Sequence, residues 1–326
     1  MRSPIVSPEV LSGWLTEGRA DLRVVDVRWY LGQPQGTGRT AYEAGHLPGA
    51  IHVDIDEELT ARSGPGRHPL PNPTAFAAAL ARLGIGDGQT IVVYDDVGGW
   101  VAARLWWMLE DLGFGDDRLG VGSGAVLVLD GGLPAWVAAG LALSTDVPHL
   151  SPARLTLASA WRRVVDRAAL KTRLGDVLLL DARGGPRYRG EIEPIDPVAG
   201  HIPTAVSAPT DGNLGPDGRF RSPTDLAARF EELRATAAAG LGTAADPYSP
   251  VVVSCGSGIS ACHDALALRI AGSPDPILYP GSYSDWSTAG EPVVTGPEPG
   301  DRPARAEDHA AETGRDRDGV SSRRGG

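Results

Sequence analysis

The chain has 326 residues, of which 42% are hydrophobic and 22% are charged, a balance typical of globular proteins and a length that suits two domains. Its net charge of −11 argues against nucleic acid, which proteins bind through contacts of Lys and Arg with phosphate. No apolar run approaches the roughly 18 residues that span a bilayer, and no signal peptide follows Met1, so we expect a cytoplasmic protein without membrane contact.

Strands and helices alternate through the first half of the chain. Short apolar runs rich in β-branched residues predict strands at residues 24–27, 90–94 and 126–129. Apolar residues at helical spacing predict helices at residues 73–83 and 101–112. Continuous apolar strands between helices indicate a parallel sheet with helices on both faces, which predicts an α/β fold.

The second half repeats this alternation. Residues 177–180 and 251–254 predict strands, and residues 222–239 and 259–271 predict helices. Four sequence blocks also occur twice in the same order, which is the mark of an internal duplication. The matching blocks are 24–28 with 179–183, 45–50 with 200–205, 91–95 with 251–255, and 130–136 with 280–286.

The duplication predicts the domain boundaries. We predict a first domain over residues 1–145, a linker over 146–160 and a second domain over 161–296. Residues 297–326 have balanced acids and bases and no aromatic residues, so we predict a disordered tail there. A segment that binds a partner is the alternative for this tail.

A cysteine follows the predicted strand at residues 251–254. Gly256 and Gly258 let the loop after Cys255 turn tightly, so that backbone N–H groups point toward the sulfur. The following helix adds its positive end, and both effects favour a nucleophilic thiolate. A buried structural cysteine is the alternative. The repeat argues against it, because the counterpart is Asp95 and a charge does not suit a packed apolar position. We therefore expect an accessible loop floor.

The second cysteine and the loop sequence exclude other chemistries. Cys262 falls within the predicted helix at residues 259–271, where packing is its expected role. Two cysteines at this spacing do not form a zinc motif, and they suit a reducing compartment. The expected chemistry uses no metal and no organic cofactor. A cysteine-dependent phosphatase needs an arginine to hold phosphate at the position where this chain has Ala261, so that class is excluded.

Three features of the chain together resemble the tandem-domain rhodanese family over about residues 8–292. They are the paired Gly-His-x-Pro segments, the cysteine loop and the Asp-Gly-Gly-x-x-x-Trp block. The neutral residues after Cys255 are similar to those of the 3-mercaptopyruvate sulfurtransferases, whereas thiosulfate sulfurtransferases usually have basic residues there. The resemblance implies two α/β rhodanese-like domains, each a parallel sheet flanked by helices. It implies a non-catalytic first domain, a catalytic second domain and an active site between them.

The resemblance also implies a set of site residues. Cys255 would carry sulfur as a persulfide. The implied proton relay consists of Ser257, His68 and Asp56. The implied donor site contains Arg187, Arg183, Gly256, Gly258, Ile259 and Ser260. Surface roles in polar loops are the alternative for the arginines and for His68, and support of the domain structure is a further one for Arg183.

The sulfur donor stays open between two compounds. Mercaptopyruvate enzymes carry a second arginine that binds the donor carboxylate near residues 195–197, where this chain has Asp196. The prediction is therefore transfer from 3-mercaptopyruvate to a thiol acceptor, such as thioredoxin, or to cyanide. A thiosulfate:cyanide sulfurtransferase with the same site is the first alternative. A non-catalytic rhodanese-like binding module is the second.

Overall fold

A computed structural model of the protein describes residues 3–116, 124–241 and 249–303. From residue 304 onward, the predicted disordered tail lies outside the described residues. Within the described part of the chain, none of the helices combines the length and apolar character needed to cross a membrane.

The first half contains a parallel sheet with the strand order β1-β5-β4-β2-β3. Its strands are β1 (Ile5–Val6), β2 (Leu22–Asp26), β3 (Ile51–His52), β4 (Thr90–Tyr94) and β5 (Ala125–Leu129). Its helices are α1 (Pro8–Thr16), α2 (Thr37–Ala44), α3 (Pro73–Arg82), α4 (Ala102–Asp111) and α5 (Gly132–Ala138). The central strand β4 is apolar on both faces because helices cover both sides of the sheet.

The second half builds a smaller parallel sheet with the order β7-β6-β8-β9. Its strands are β6 (Leu178–Asp181), β7 (Val206–Ser207), β8 (Val251–Ser254) and β9 (Ile277–Leu278). Its helices are α6 (Arg167–Arg173), α7 (Gly185–Tyr188), α8 (Pro223–Leu241), α9 (Ala261–Ile270) and α10 (Ser282–Thr288). An isolated bridge from Val164 to Leu278 corresponds to the pairing of β1 with β5. The strand order thus confirms the predicted duplication and the α/β fold class.

An arginine binds the Gly-His-x-Pro turn to the neighbouring strand in both halves. Arg28 Nη2 donates to Asp26 at 2.7 Å and to the Gly45 carbonyl at 2.8 Å. In the second half, Arg183 Nη2 donates at 2.7 Å both to Asp181 and to a backbone carbonyl in the turn. The same bonds occur in a half that has no cysteine, so their first effect is to hold the fold.

The turn histidines are also structural in both halves. His46 stacks on Tyr42 with ring centroids 4.0 Å apart, and its Nδ1 lies 2.8 Å from the Tyr42 carbonyl oxygen. His201 stacks on Tyr188 at 3.8 Å and makes the equivalent 2.8 Å contact. Both imidazoles are fully buried, so they stabilise the turns and are closed to substrate.

One cluster of the hydrophobic core extends through both halves, and each half also has a cluster of its own. Helix α4 of the first half packs against helix α9 of the second. Trp107 of α4 stacks on Trp161, from the start of the second half, with ring centroids 5.8 Å apart. Each of these helices follows the loop at the end of a central strand, β4 or β8. The packing therefore brings the loop after Cys255 against the first half of the chain.

Candidate active site

The loop that begins at Cys255 turns around its own sulfur. Helix α9 begins at Ala261, two residues later than predicted, because residues 255–260 form the loop. The Gly258 N–H donates to Cys255 Sγ at 3.1 Å. Gly258 has a φ of +78°, and a Cβ there would lie 2.5 Å from the Pro280 carbonyl oxygen. Only glycine fits both this backbone conformation and this close contact.

Ser282 supports the cysteine from the start of α10 and was not among the predicted site residues. Its Oγ accepts a hydrogen bond from the Cys255 N–H at 3.1 Å and lies 4.0 Å from Cys255 Sγ. Its φ of +52° is unusual for a residue other than glycine. The equivalent residue of the first half is Gly132, with a φ of +56°. The repeat could have identified Ser282, because it places a serine where the first half has a glycine. A positive φ at a residue other than glycine strains the backbone, and such strain is concentrated at functional sites.

The counterpart of the cysteine shows what the loop holds in the first half. The Asp95 carboxylate accepts backbone hydrogen bonds at 2.8–3.0 Å. The donors are the N–H groups of Val97, Gly99, Val101 and Ala102. Asp95 is 1% exposed, so the expectation of an accessible position is wrong. Burial raises the pKa of the Asp95 carboxyl, and the four N–H groups act in the opposite direction because they bind its charged form. The loop is therefore an anion cradle.

Cys255 is also buried, at 2% exposure, but it faces a cavity of about 200 Å³ between the halves. The first half contributes Trp29, Leu31, Arg67 and Trp100 to its walls. The second half contributes Ala182, Arg183, Gly184, Arg187, Thr210, Gly256, Ser257, Ile259 and Ser260. The predicted donor-site residues therefore line one cavity, apart from Gly258, which contacts the sulfur from the loop itself.

The predicted relay residues meet across the two halves. Ser257 Oγ lies 2.7 Å from His68 Nδ1, a hydrogen-bond distance. His68 is 8% exposed, so it is not a surface histidine. His68 Nε2 lies 3.8 Å from Asp56 Oδ1, which is too long for a direct hydrogen bond. The Trp29 indole N–H donates to the other oxygen of Asp56 at 3.1 Å and orients the carboxylate.

The relay histidine is neutral. The pKa of His68 is lowered to about 4, mainly by burial and also by the nearby charges of Arg104 and Arg67. The tautomer with its proton on Nε2, the side of the Asp56 carboxylate, leaves Nδ1 free to accept the Ser257 hydroxyl proton. A neutral imidazole that is already bonded to a hydroxyl is poised to accept a proton.

The two predicted arginines differ in how they are held. The Arg183 guanidinium binds Asp181 and stacks over the Tyr283 ring at 3.8 Å, so only its stem approaches the cysteine loop. Arg187 is bound on one side by Glu193 at 2.6 Å. Its Nη1 is turned toward the cavity, 3.5 Å from the position of a Cβ built on Gly256.

A fully buried cation joins the cysteine loop to the relay and was missed from the sequence. Arg104 Nη1 donates to the Gly258 carbonyl at 2.8 Å, and Nη2 donates to the carbonyls of His68 at 3.0 Å and Leu59 at 3.3 Å. The only available signal was a charge inside the apolar helix pattern of α4. Among the described residues, no group of three or more His, Cys, Asp or Glu side chains lies close enough together to hold a metal ion.

Comparison with known proteins identifies the family to which the two halves belong. The sequence model of the family described as "Rhodanese-like domain" matches residues 7–139 and again residues 166–289. The chain belongs to the rhodanese family. Its two matched segments cover the two sheets, so it is a tandem rhodanese, as the sequence predicted.

Named relatives of this rhodanese are sulfurtransferases. It is 43% identical, over 90% of its length and 98% of the relative's, to a probable 3-mercaptopyruvate sulfurtransferase of Pseudomonas aeruginosa. It is 36% identical, over 87% and 94% of the two chains, to the putative thiosulfate sulfurtransferase SseB of Mycobacterium tuberculosis. SseA from Escherichia coli, described as a 3-mercaptopyruvate sulfotransferase, matches 87% of this chain and 100% of its own, at 28% identity and a TM-score of 0.69.

Proposed function

We propose that this rhodanese moves sulfur from 3-mercaptopyruvate, through a persulfide on Cys255, to a thiol or to cyanide. The observation that carries the proposal is the 2.7 Å bond between Ser257 Oγ and His68 Nδ1 beside the cysteine. When sulfur leaves 3-mercaptopyruvate, pyruvate departs as an enolate that must gain a proton, and the donor thiol must lose one. Thiosulfate releases sulfite, which needs neither transfer, so a proton relay supports the first donor.

In the proposed reaction, the Cys255 thiolate attacks the donor sulfur, and the carbon–sulfur bond breaks. Ser257 and His68 take the proton of the donor thiol and return it to the enolate carbon. Pyruvate leaves, and the Cys255 persulfide stays in the loop with its outer sulfur beside the N–H groups of the cradle. An acceptor thiol or cyanide then removes that sulfur, so the kinetics are ping-pong.

We also propose how the two halves divide the work. Residues 1–145 form a non-catalytic domain, since Asp95 fills its cradle and carries no transferable sulfur. Residues 161–296 form the catalytic domain, with the connection at 146–160. Cys255 and Cys262 are both free thiols, which supports a reducing, cytoplasmic location and a protein thiol such as thioredoxin as acceptor. The donor is a small anion, and nucleic acid is not a partner.

The test of the donor compares kcat/KM for 3-mercaptopyruvate and thiosulfate, with cyanide as acceptor. We expect a preference for 3-mercaptopyruvate of about 10²-fold or more, the range that a positioned proton-transfer group contributes. A preference for thiosulfate would favour the other donor, for which the Mycobacterium tuberculosis relative is named. Activity with neither donor would favour a binding module, although an intact cysteine loop that faces a cavity weighs against it.

The pH dependence of the reaction tests His68. A protonated imidazole has no lone pair at Nδ1 to accept the Ser257 proton, so the relay works only above the pKa of His68. That pKa is about 4, below the ordinary 6.5, and burial is the main cause. We expect kcat/KM for 3-mercaptopyruvate to stay level as the pH falls through 6.5 and to drop near pH 4. A drop centred near 6.5 would mean that His68 is solvated.

A further inference from the structure

Arg67 belongs to the first half of the chain, but the second half holds it in place. Its backbone N–H donates to Ser284 Oγ at 3.1 Å. The preceding residue, Gly66, packs so closely that a Cβ there would lie 2.5 Å from the Gly281 carbonyl oxygen. The base of the Arg67 side chain is therefore positioned by the interface between the halves.

A buried carboxylate from the second half orients the guanidinium of Arg67. The side chain of Asp196 is 2% exposed and forms an ion pair with Arg67 Nη1. It also accepts a hydrogen bond from Arg187 Nη2 at 2.9 Å. One carboxylate thus bonds to two arginines from different halves, and charge-assisted bonds of this kind hold planar groups in a defined direction.

Both arginines turn their remaining donors toward the same point beside the cysteine. A Cβ built on Gly256 would lie 2.8 Å from Arg67 Nη2 and 3.5 Å from Arg187 Nη1. Arg67 Nε is buried and has no hydrogen-bond partner among the described residues. Nε and Nη2 form one edge of the guanidinium, and this edge can bind the two oxygens of a carboxylate in parallel. A buried donor without a partner is costly, so the edge is suited to a ligand.

We propose that Arg67 is the second arginine that binds the donor carboxylate, opposite Arg187, and that Asp196 is its positioning residue. The inference rests on the proposed function, because it takes a 2-oxo acid as the ligand. It also explains Asp196, which stands where the family resemblance implies an arginine. The cation comes instead from the other half of the chain, and Asp196 holds it in place.

The ion pairs around the cavity indicate that the donor is recognised by oriented N–H groups. Glu193 and Asp196 face Arg187 and Arg67, so these two acids and two bases balance. A general positive field therefore does not select the donor, and correctly directed N–H groups do. The free edge of Arg67 offers two such N–H groups to the carboxylate of the donor.

Binding of pyruvate to the Cys255→Ser variant tests the inference without sulfur transfer. Pyruvate carries the carboxylate of the donor, and calorimetry measures its Kd. We expect Arg67→Gln to weaken pyruvate binding about tenfold or more, the usual effect of losing hydrogen bonds to a charged group. Arg67→Lys keeps the charge but lacks the two parallel N–H donors, so its loss of pyruvate affinity should be intermediate. Arg189→Gln, at an exposed arginine paired with Glu191, is the control of equal charge change.

In the active protein, Arg67→Gln should raise KM for 3-mercaptopyruvate about tenfold or more and leave kcat nearly unchanged, because binding is lost equally from ground and transition states. Unchanged pyruvate affinity in Arg67→Gln would overturn the inference. Weaker pyruvate binding in a protein that transfers no sulfur from 3-mercaptopyruvate would instead overturn the proposed function and keep the carboxylate site. Thermal melting of Arg67→Lys shows whether a loss of pyruvate binding is caused by unfolding.

Discussion

Replacing Cys255 by serine abolishes sulfur transfer from every donor and leaves the fold intact. Serine is nearly the size of cysteine, so it keeps the bonds of the loop to Gly258 and Ser282. A hydroxyl forms no persulfide, because the thiolate is the nucleophile that accepts the sulfur. Mass spectrometry after incubation with 3-mercaptopyruvate should show a gain of about 32 Da, one sulfur atom, in the unaltered protein and none in the variant.

Cys262 supplies the matched control for this experiment. It is fully buried, its thiol donates to the Gly258 carbonyl at 3.4 Å, and burial raises its pKa to about 12. The Cys262 thiol therefore stays protonated at neutral pH and does not act as a nucleophile. We expect Cys262→Ala to keep both the mass gain and turnover. A mass gain that persists in Cys255→Ser and disappears in Cys262→Ala would move the sulfur site to Cys262.

Replacing Ser257 by alanine lowers kcat for 3-mercaptopyruvate by about 10²- to 10⁴-fold, the range that a positioned proton-transfer group contributes. The reason is the loss of the 2.7 Å bond to His68, and with it the path of the proton between donor thiol and enolate. Thiosulfate needs no proton, so we expect its kcat to stay within about threefold of the starting value. Steady-state rates with the two donors make this measurement.

The thiosulfate rate is the internal control of the Ser257 experiment. A variant that is misfolded or has a damaged cysteine loop loses both activities together, whereas loss of the relay affects one. We expect His68→Ala to resemble Ser257→Ala, and the double variant to be little worse than either, because residues that act as a unit are not additive. Equal losses with both donors would contradict a role in proton transfer.

The internal duplication separates structural from chemical residues. Features that occur in both halves hold the fold, such as the turn histidines and the paired arginines Arg28 and Arg183. Features that differ between the halves lie around the sulfur, where Cys255 replaces Asp95 and Ser282 replaces Gly132. Comparison of the halves therefore assigns a structural role to the Arg183 guanidinium more strongly than a role in donor binding.

Much of this protein could be predicted from the sequence because the signals are local. Apolar runs, helical spacing and the repeat predicted the α/β fold and its duplication, and a glycine-rich turn after a strand indicated the site at Cys255. The pairing of Ser257 with His68 could be expected only from the family resemblance, because the two residues are 189 positions apart. Burial of Asp95 was not foreseen, because a pattern of residue types does not count the backbone donors that a folded loop supplies.

The sequence by itself determined the fold and the repeat and predicted Cys255 as the residue that carries sulfur, since each depends on neighbours along the chain. Only the tertiary structure showed that Arg67 and Arg104 lie beside the site. Arg67 lies in a polar loop that does not distinguish it from other arginines, and the sequence marks Arg104 only as a charge within an apolar helix. Packing of the two halves brings Arg104 to the cysteine loop and Arg67 to Asp196. The sequence does not show these contacts because they depend on how the halves dock.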